Sequence, residues 1–255
     1  MIRILFFAHC FLLSFIIAQS DLENGIHFYN LRHQGCVEDK ADPEHIIQAI
    51  SYFEKAITNQ AEFEEASLYL LKSYYFRAKF AEHNKKIKKE LLKKGKDLGQ
   101  DLVDKFPKSV KYRYWYLVNL GSWAEVYGIL AAAREGVADQ MRSHSKRIIE
   151  IDSEYEHGAG YFMLGAVHYK SPYIPFILSW PNNNKAIKWL EKSYNTGEAK
   201  LAQVVYLAQA FYKEGEKDKA VRLLDEIVNV SPSKDDYASD WEWIKKARNL
   251  HAKYQ

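Results

Sequence analysis

The run His157-Gly158-Ala159-Gly160 has the composition of an oxyanion loop, in which backbone amides of glycine-rich sequence receive the developing charge of acyl transfer. Such a loop needs an activated serine nearby, and no Gly-x-Ser-x-Gly occurs in the sequence. Nine histidines are present, but none is arranged as H-x-x-x-H or H-E-x-x-H, and His27 and His33 at spacing six do not share a helical face. The phosphate-loop and dinucleotide glycine fingerprints are absent as well. The sequence predicts no catalytic residues, no metal site and no cofactor, hence a protein that is not an enzyme. The competing reading is an all-α hydrolase, whose turnover would depend on His157 or Glu125.

Binding chemistry is better represented. Residues 109–128 carry Tyr112, Tyr114, Trp115, Tyr116, Trp123 and Tyr127, too many aromatics for one core stripe. Some must lie on a second face or line a cavity. Tyr114, Trp115, Asn119, Trp123, Tyr161, His168, Tyr169 and Trp180 combine flat apolar bodies with hydrogen-bonding tips, a composition suited to a peptide or a small organic ligand. The alternative is that these rings fill gaps between helices.

The elements that would position them are helices. No segment sustains alternation, and only 6 prolines and 12 glycines interrupt 255 residues. Residues 201–232 set the pattern. Val204, Leu207, Ala208 and Phe211 form one stripe, Glu214-Gly215-Glu216 breaks it, Ala220, Leu224 and Ile227 form a second, and Pro232 closes the unit. This αα-hairpin of about 34 residues is similar to a tetratricopeptide repeat. Related stripes occur at 43–58, 63–81, 109–151 and 158–194, with Asp42-Pro43 opening a helix and a final helix expected near 237–252. The lysine-rich run at 84–96 reads as the solvated back of an amphipathic helix whose other face holds Ile87, Leu91, Leu98 and Leu102. The expected fold is an all-α, TPR-like helical-hairpin superhelix of about four degenerate repeats with extra terminal helices, compact rather than open. Residues 21–255 are expected to form a single domain. An insertion near 171–184 carries Ile174, Phe176, Ile177, Leu178 and Trp180, and this apolar content predicts that it tucks into the structure or covers a groove.

Residues 1–20 read as a secretory signal peptide, with Arg3, an apolar run over 4–17 and small residues at Ala18 and Ser20. The run is shorter than the ~20 residues that span a bilayer. Cys10 follows Phe7-Ala8-His9, a poor lipoprotein cleavage box. A mature protein starting near Asp21, periplasmic or secreted and without a membrane anchor, follows. It retains only Cys36, as a buried small hydrophobe or a free thiol, with no partner for an intramolecular disulfide. The formal charge of +3 falls to +2 without Arg3 and gives no reason to expect nucleic acid.

Three segments are more specific than a generic repeat: YWYLVNLGSWAEVYG at 114–128, GAGYFMLGAVHYKSP at 158–172 and NNNKAIKWLEKSY at 182–194. Together they resemble the T-component of TRAP transporter systems over roughly residues 40–235. The resemblance implies an all-helical periplasmic protein that associates with a solute-binding partner, holds an internal pore or cavity for a ligand and can form homo-oligomers. Family members are commonly lipoproteins, a feature not matched here. A general envelope assembly adaptor without ligand is the alternative role.

Overall fold

The computed structural model describes residues 19–176 and 178–255. The expected signal peptide, apart from Gln19 and Ser20, lies outside these residues, as does Ile177. Among the described residues the secondary structure is twelve α-helices: α1 (Asp21–Asn30), α2 (Pro43–Ala56), α3 (Phe63–Phe76), α4 (Lys85–Lys105), α5 (Val110–Tyr127), α6 (Ile129–Arg134), α7 (Val137–Ile151), α8 (Tyr155–Lys170), α9 (Asn183–Tyr194), α10 (Leu201–Lys213), α11 (Lys217–Asp225) and α12 (Tyr237–Tyr254). Helix α3 continues into a π-helical turn, Arg77–Ala81.

Local chemistry sets the boundaries. The Asp42 carboxylate accepts from the Glu44 amide at 2.9 Å, with Pro43 at the first helical position. Asn84 and Asn182 cap α4 and α9 in the same way. Gly215, at φ 88°, supplies the left-handed turn that joins α10 to α11. Within the stretch 109–151 a short extra helix, α6, stands between the two long ones, and Gly136 at φ 62° separates it from α7.

Each helix packs against its near neighbours in the chain, as an array of hairpins requires. Val204, Leu207, Ala208 and Phe211 of α10 are buried against Ala220, Leu224 and Ile227. The stripes read from the sequence are therefore the packing faces. On α4, Leu91, Leu92 and Leu102 are buried while Lys85, Lys86, Lys93 and Lys94 face solvent. Helices α4 and α5 approach closely enough that a side chain at Gly99 would meet the Tyr116 backbone at 3.0 Å. Gly165 of α8 plays the small-residue role against α9, where an added Cβ would lie 2.6 Å from Leu190. The core runs as one cluster through α2 to α8, joined by Ala238, and a second through α9 to α12, and Phe162 packs against both.

The array curls until its ends meet. Lys245 of α12 pairs with Glu38 at 2.8 Å and Asp39 at 2.7 Å, Lys79 pairs with Glu242 at 2.8 Å, and Arg32 and His33 both reach the Asp235 carbonyl. This seam is largely polar, unlike the interior. No helix among the described residues is long and apolar enough to cross a membrane.

Candidate functional site

Inside the curl lies a cavity of about 1090 Å³. Its wall comes from α3, α5, α7, α8, α10 and α12, with further residues of the α1 end, α6 and the insertion. The volume exceeds that of ordinary small-ligand pockets. Tyr75, Tyr114, Trp115, Phe162, Tyr206 and Trp243 supply its aromatic surface. The Tyr75 ring lies 6.0 Å from that of Trp115, which contacts Tyr114 edge-on at 5.5 Å, and Tyr206 joins Trp243 at 5.6 Å. Burial pushes the Tyr75 and Tyr114 hydroxyls well above the ordinary phenol range, so both stay protonated donors.

Charged groups sit at two places on this wall. In one, Lys79 pairs with Glu242 and Lys170 with Glu125, while Lys246 lies over the rings of Trp243 at 4.8 Å and Tyr206 at 5.5 Å. Burial, followed by the neighbouring Lys170, lowers the Lys246 pKa. Burial also opposes the charge on Lys79, but Glu242 outweighs it and holds that ammonium above its usual range. In the other, Lys200 pairs with Glu156 at 2.8 Å and lies 3.9 Å from Asp236, while Lys72 stacks on Tyr69 and Trp115 and Arg32 on Tyr29. Lys72 is held below the normal lysine range, chiefly by desolvation.

Glu156 reaches this place through unusual backbone. Glu156, His157 and Gly158 take φ values of 47°, 57° and 76°, three successive left-handed residues before α8 proper. Gln203 and Thr196 both donate to the His157 carbonyl, and Ser193 to that of Gly158, which hold the turn. The His-Gly-Ala-Gly stretch is thus a helix start. His157 pairs with Glu198 at 2.9 Å, Glu125 pairs with Lys170, and the two are not brought together. Among the described residues no group of three His, Cys, Asp or Glu side chains could hold a metal ion.

Of the eight residues singled out for binding, Tyr114 and Trp115 line the cavity. The other six have packing partners. Asn119 is buried and donates to the Leu71 and Trp115 carbonyls, in the space that Gly95 leaves free. Trp123 is buried and stacks on Tyr127 at 4.5 Å. Tyr161 stacks on Trp189, and Tyr169 packs edge-on against Tyr206. His168 is buried edge-on to Trp180 at 4.9 Å, and burial together with Arg142 lowers its pKa to about 4. Trp180 donates to Asp139 at 2.8 Å under the Arg142 guanidinium. That cluster pins the insertion, whose Ile174 and Leu178 reach the cavity while Tyr173 and Phe176 stay exposed. Arg32, Lys72, Tyr75, Glu156, Tyr206 and Lys246 carry no spacing signal, since they converge from distant parts of the chain.

The chain matches no family model and no curated protein. Among solved structures it is similar to a thermophilic TPR protein of Thermus thermophilus, at TM-score 0.58 and 15% identity over 92% of this chain and 96% of that one. The fold is TPR-like and all-α.

Proposed function

We propose that this chain is an exported TPR-like binding protein that acts beside a periplasmic solute-binding protein of a TRAP-type transport system and holds a small organic ligand in its cavity. The observation that carries the ligand part is the cavity itself, 1090 Å³ walled by aromatic rings and flanked by fixed charges. The partner part rests on the resemblance of segments 114–128, 158–172 and 182–194 to the T-components. Its export rests on the signal-like residues 1–20, and the exposed apolar side chains of Ile129, Leu130, Tyr173 and Phe176 are material for a protein contact. An envelope adaptor without ligand is the second reading, and the same exposed side chains favour it.

Crosslinking followed by affinity capture of the tagged protein from its own envelope, with native mass spectrometry of the captured material, tests both parts. A solute-binding protein in the eluate and a small adduct on the chain are expected. Recovery of outer-membrane or cell-wall proteins alone, with no adduct, would leave only the adaptor.

A further inference from the structure

We infer that the edge of the array carrying the α3–α4, α5–α7 and α8–α9 connections docks on the surface of a bilayer that contains anionic phospholipid. This surface is distinct from the cavity and does not depend on what fills it.

Helices joined by short connections run antiparallel, so every second connection of the array falls on the same edge. Residues 31–42, 82–84, 128–136 (with α6 inside), 171–182 and 214–216 share one edge, and 57–62, 106–109, 152–154, 195–200 and 226–236 share the other. Contacts between neighbouring hairpins follow the first edge. Lys89 lies 4.7 Å from the centre of the Tyr127 ring, Glu125 pairs with Lys170, Lys213 lies 5.3 Å from the centre of the Tyr169 ring, and Tyr212 stacks on Tyr254.

Exposed large apolar side chains divide unequally between the two edges. Val37, Ile129, Leu130, Tyr173 and Phe176 project from connections of the first edge, with Tyr212 at the end of α10 and Ile47 in the first turns of α2 beside them. The second edge exposes none among the described residues. Phe176 is fully exposed, on a tight turn that the Ile174 and Leu178 backbones close. A ring held out at such a tip adds nothing to the core.

Lysines stand on the same edge. Residues 85–96 hold Glu90 as the single carboxylate among their lysines, and Lys85, Lys86, Lys88 and Lys89 form no ion pair among the described residues. Elsewhere on the edge, Glu38 and Asp39 are held by Lys245, Glu82 by Arg77, Glu125 by Lys170, Glu135 by Lys96 and Glu216 by Lys219. The apolar side chains alone would serve a protein contact as well. The lysines beside them, and their spread over successive hairpins instead of one shape-matched patch, select a bilayer. It takes apolar tips into the acyl boundary and sets ammonium groups among phosphates.

The test is co-sedimentation of residues 21–255 with vesicles of phosphatidylcholine, or of an equal mixture of phosphatidylcholine and phosphatidylglycerol. That stretch holds all the described helices, and the apolar run 4–17 would bind lipid by itself. Partitioning to the mixed vesicles is expected to be about ten-fold or more stronger than to phosphatidylcholine alone. Lys85→Glu with Lys86→Glu should weaken it about ten-fold or more, and so should Leu130→Ser with Phe176→Ser. Lys108→Glu with Lys234→Glu makes the same change of net charge at exposed positions of the second edge and should alter it by about two-fold or less. An equal loss in that last pair would reveal attraction to net charge alone and overturn the docking edge. Equal binding to both vesicles, binding to neither, or binding that the Leu130–Phe176 pair leaves intact would overturn it too. Self-association in sedimentation velocity that the Leu130–Phe176 pair abolishes, with no vesicle binding, would give the edge to a second copy instead. All substitutions lie at exposed positions, and unchanged circular-dichroism melts keep the variants comparable. None of these outcomes touches the ligand adduct expected in the cavity.

Discussion

Helix α5 presents aromatic rings in two directions, and the two sets meet different surroundings. Tyr112 and Tyr116 are among the largest fully buried side chains, and each hydroxyl has a fixed acceptor: the Glu64 carbonyl at 2.8 Å and the Gln140 side chain at 2.6 Å. Tyr114 and Trp115, which lie between them in the sequence, face the cavity and meet other rings and the Lys72 ammonium. The same residue types thus do two jobs. Rings with a polar tip that is already satisfied hold helices together, and rings whose other side is open space form a wall.

The sharpest way to break this comparison is to truncate one ring of each set. Tyr116→Ala should destabilise the protein by about 3–5 kcal/mol, the cost of removing a large buried aromatic and leaving a cavity. Denaturant titration measures it. A loss no larger than that of a cavity-face variant would abolish the distinction.

Acid should act on the core face next. His144 lies edge-on to Tyr116 at 5.2 Å, with the Arg113 guanidinium 2.6 Å away, and burial followed by that cation lowers its pKa to about 4. The unfolded imidazole titrates near 6.5, so the unfolded chain binds the extra proton first. Stability present above pH 6.5 is lost as the pH falls towards 4. Discounted for partial exposure, His144 should account for about 1 kcal/mol between about pH 7 and 5. The comparison is between the unaltered chain and His144→Gln at both pH values, and identical slopes would count against a neutral imidazole. The smaller loss of the two truncations is that of Trp115→Ala, expected at roughly 1–2 kcal/mol because the ring is only partly buried at the cavity wall. Its effect should appear as weakened binding of 1-anilinonaphthalene-8-sulfonate, a fluorescent probe of apolar cavities, by fluorescence titration, and undiminished binding would remove Trp115 from the wall.

Much of the fold is legible in the sequence because near-neighbour helices pack through periodic stripes. Ala208 and Ala220, Asp42-Pro43 and the solvated lysines of α4 each follow from spacing alone. The break at Gly136 does not, since a glycine reveals its left-handed backbone only when the next helix must change direction. The site is legible only in part. Tyr114 and Trp115 belong to an aromatic-rich segment and stand out. Lys72 and Arg32 look like any surface cations, and their surroundings are set by curvature that brings α1, α3 and the segment before α12 together. Asn119 shows the opposite error: it shares a helical face with Trp115, yet α4 leaves a gap at Gly95 that takes its side chain into the interior.

The seam between the ends of the array has a consequence for the order of folding. Contacts within the array join helices close in the chain, so each closes a short loop and forms quickly. The bonds from Arg32 to Asp235 and from Lys245 to Asp39 join residues more than two hundred positions apart. Beyond Ala238 and the Tyr237 ring, they bring little apolar surface to offset the entropy of so long a closure. The curl should therefore shut last, after the hairpins have stacked, and mechanical pulling on the two ends should part this latch before any helix unwinds.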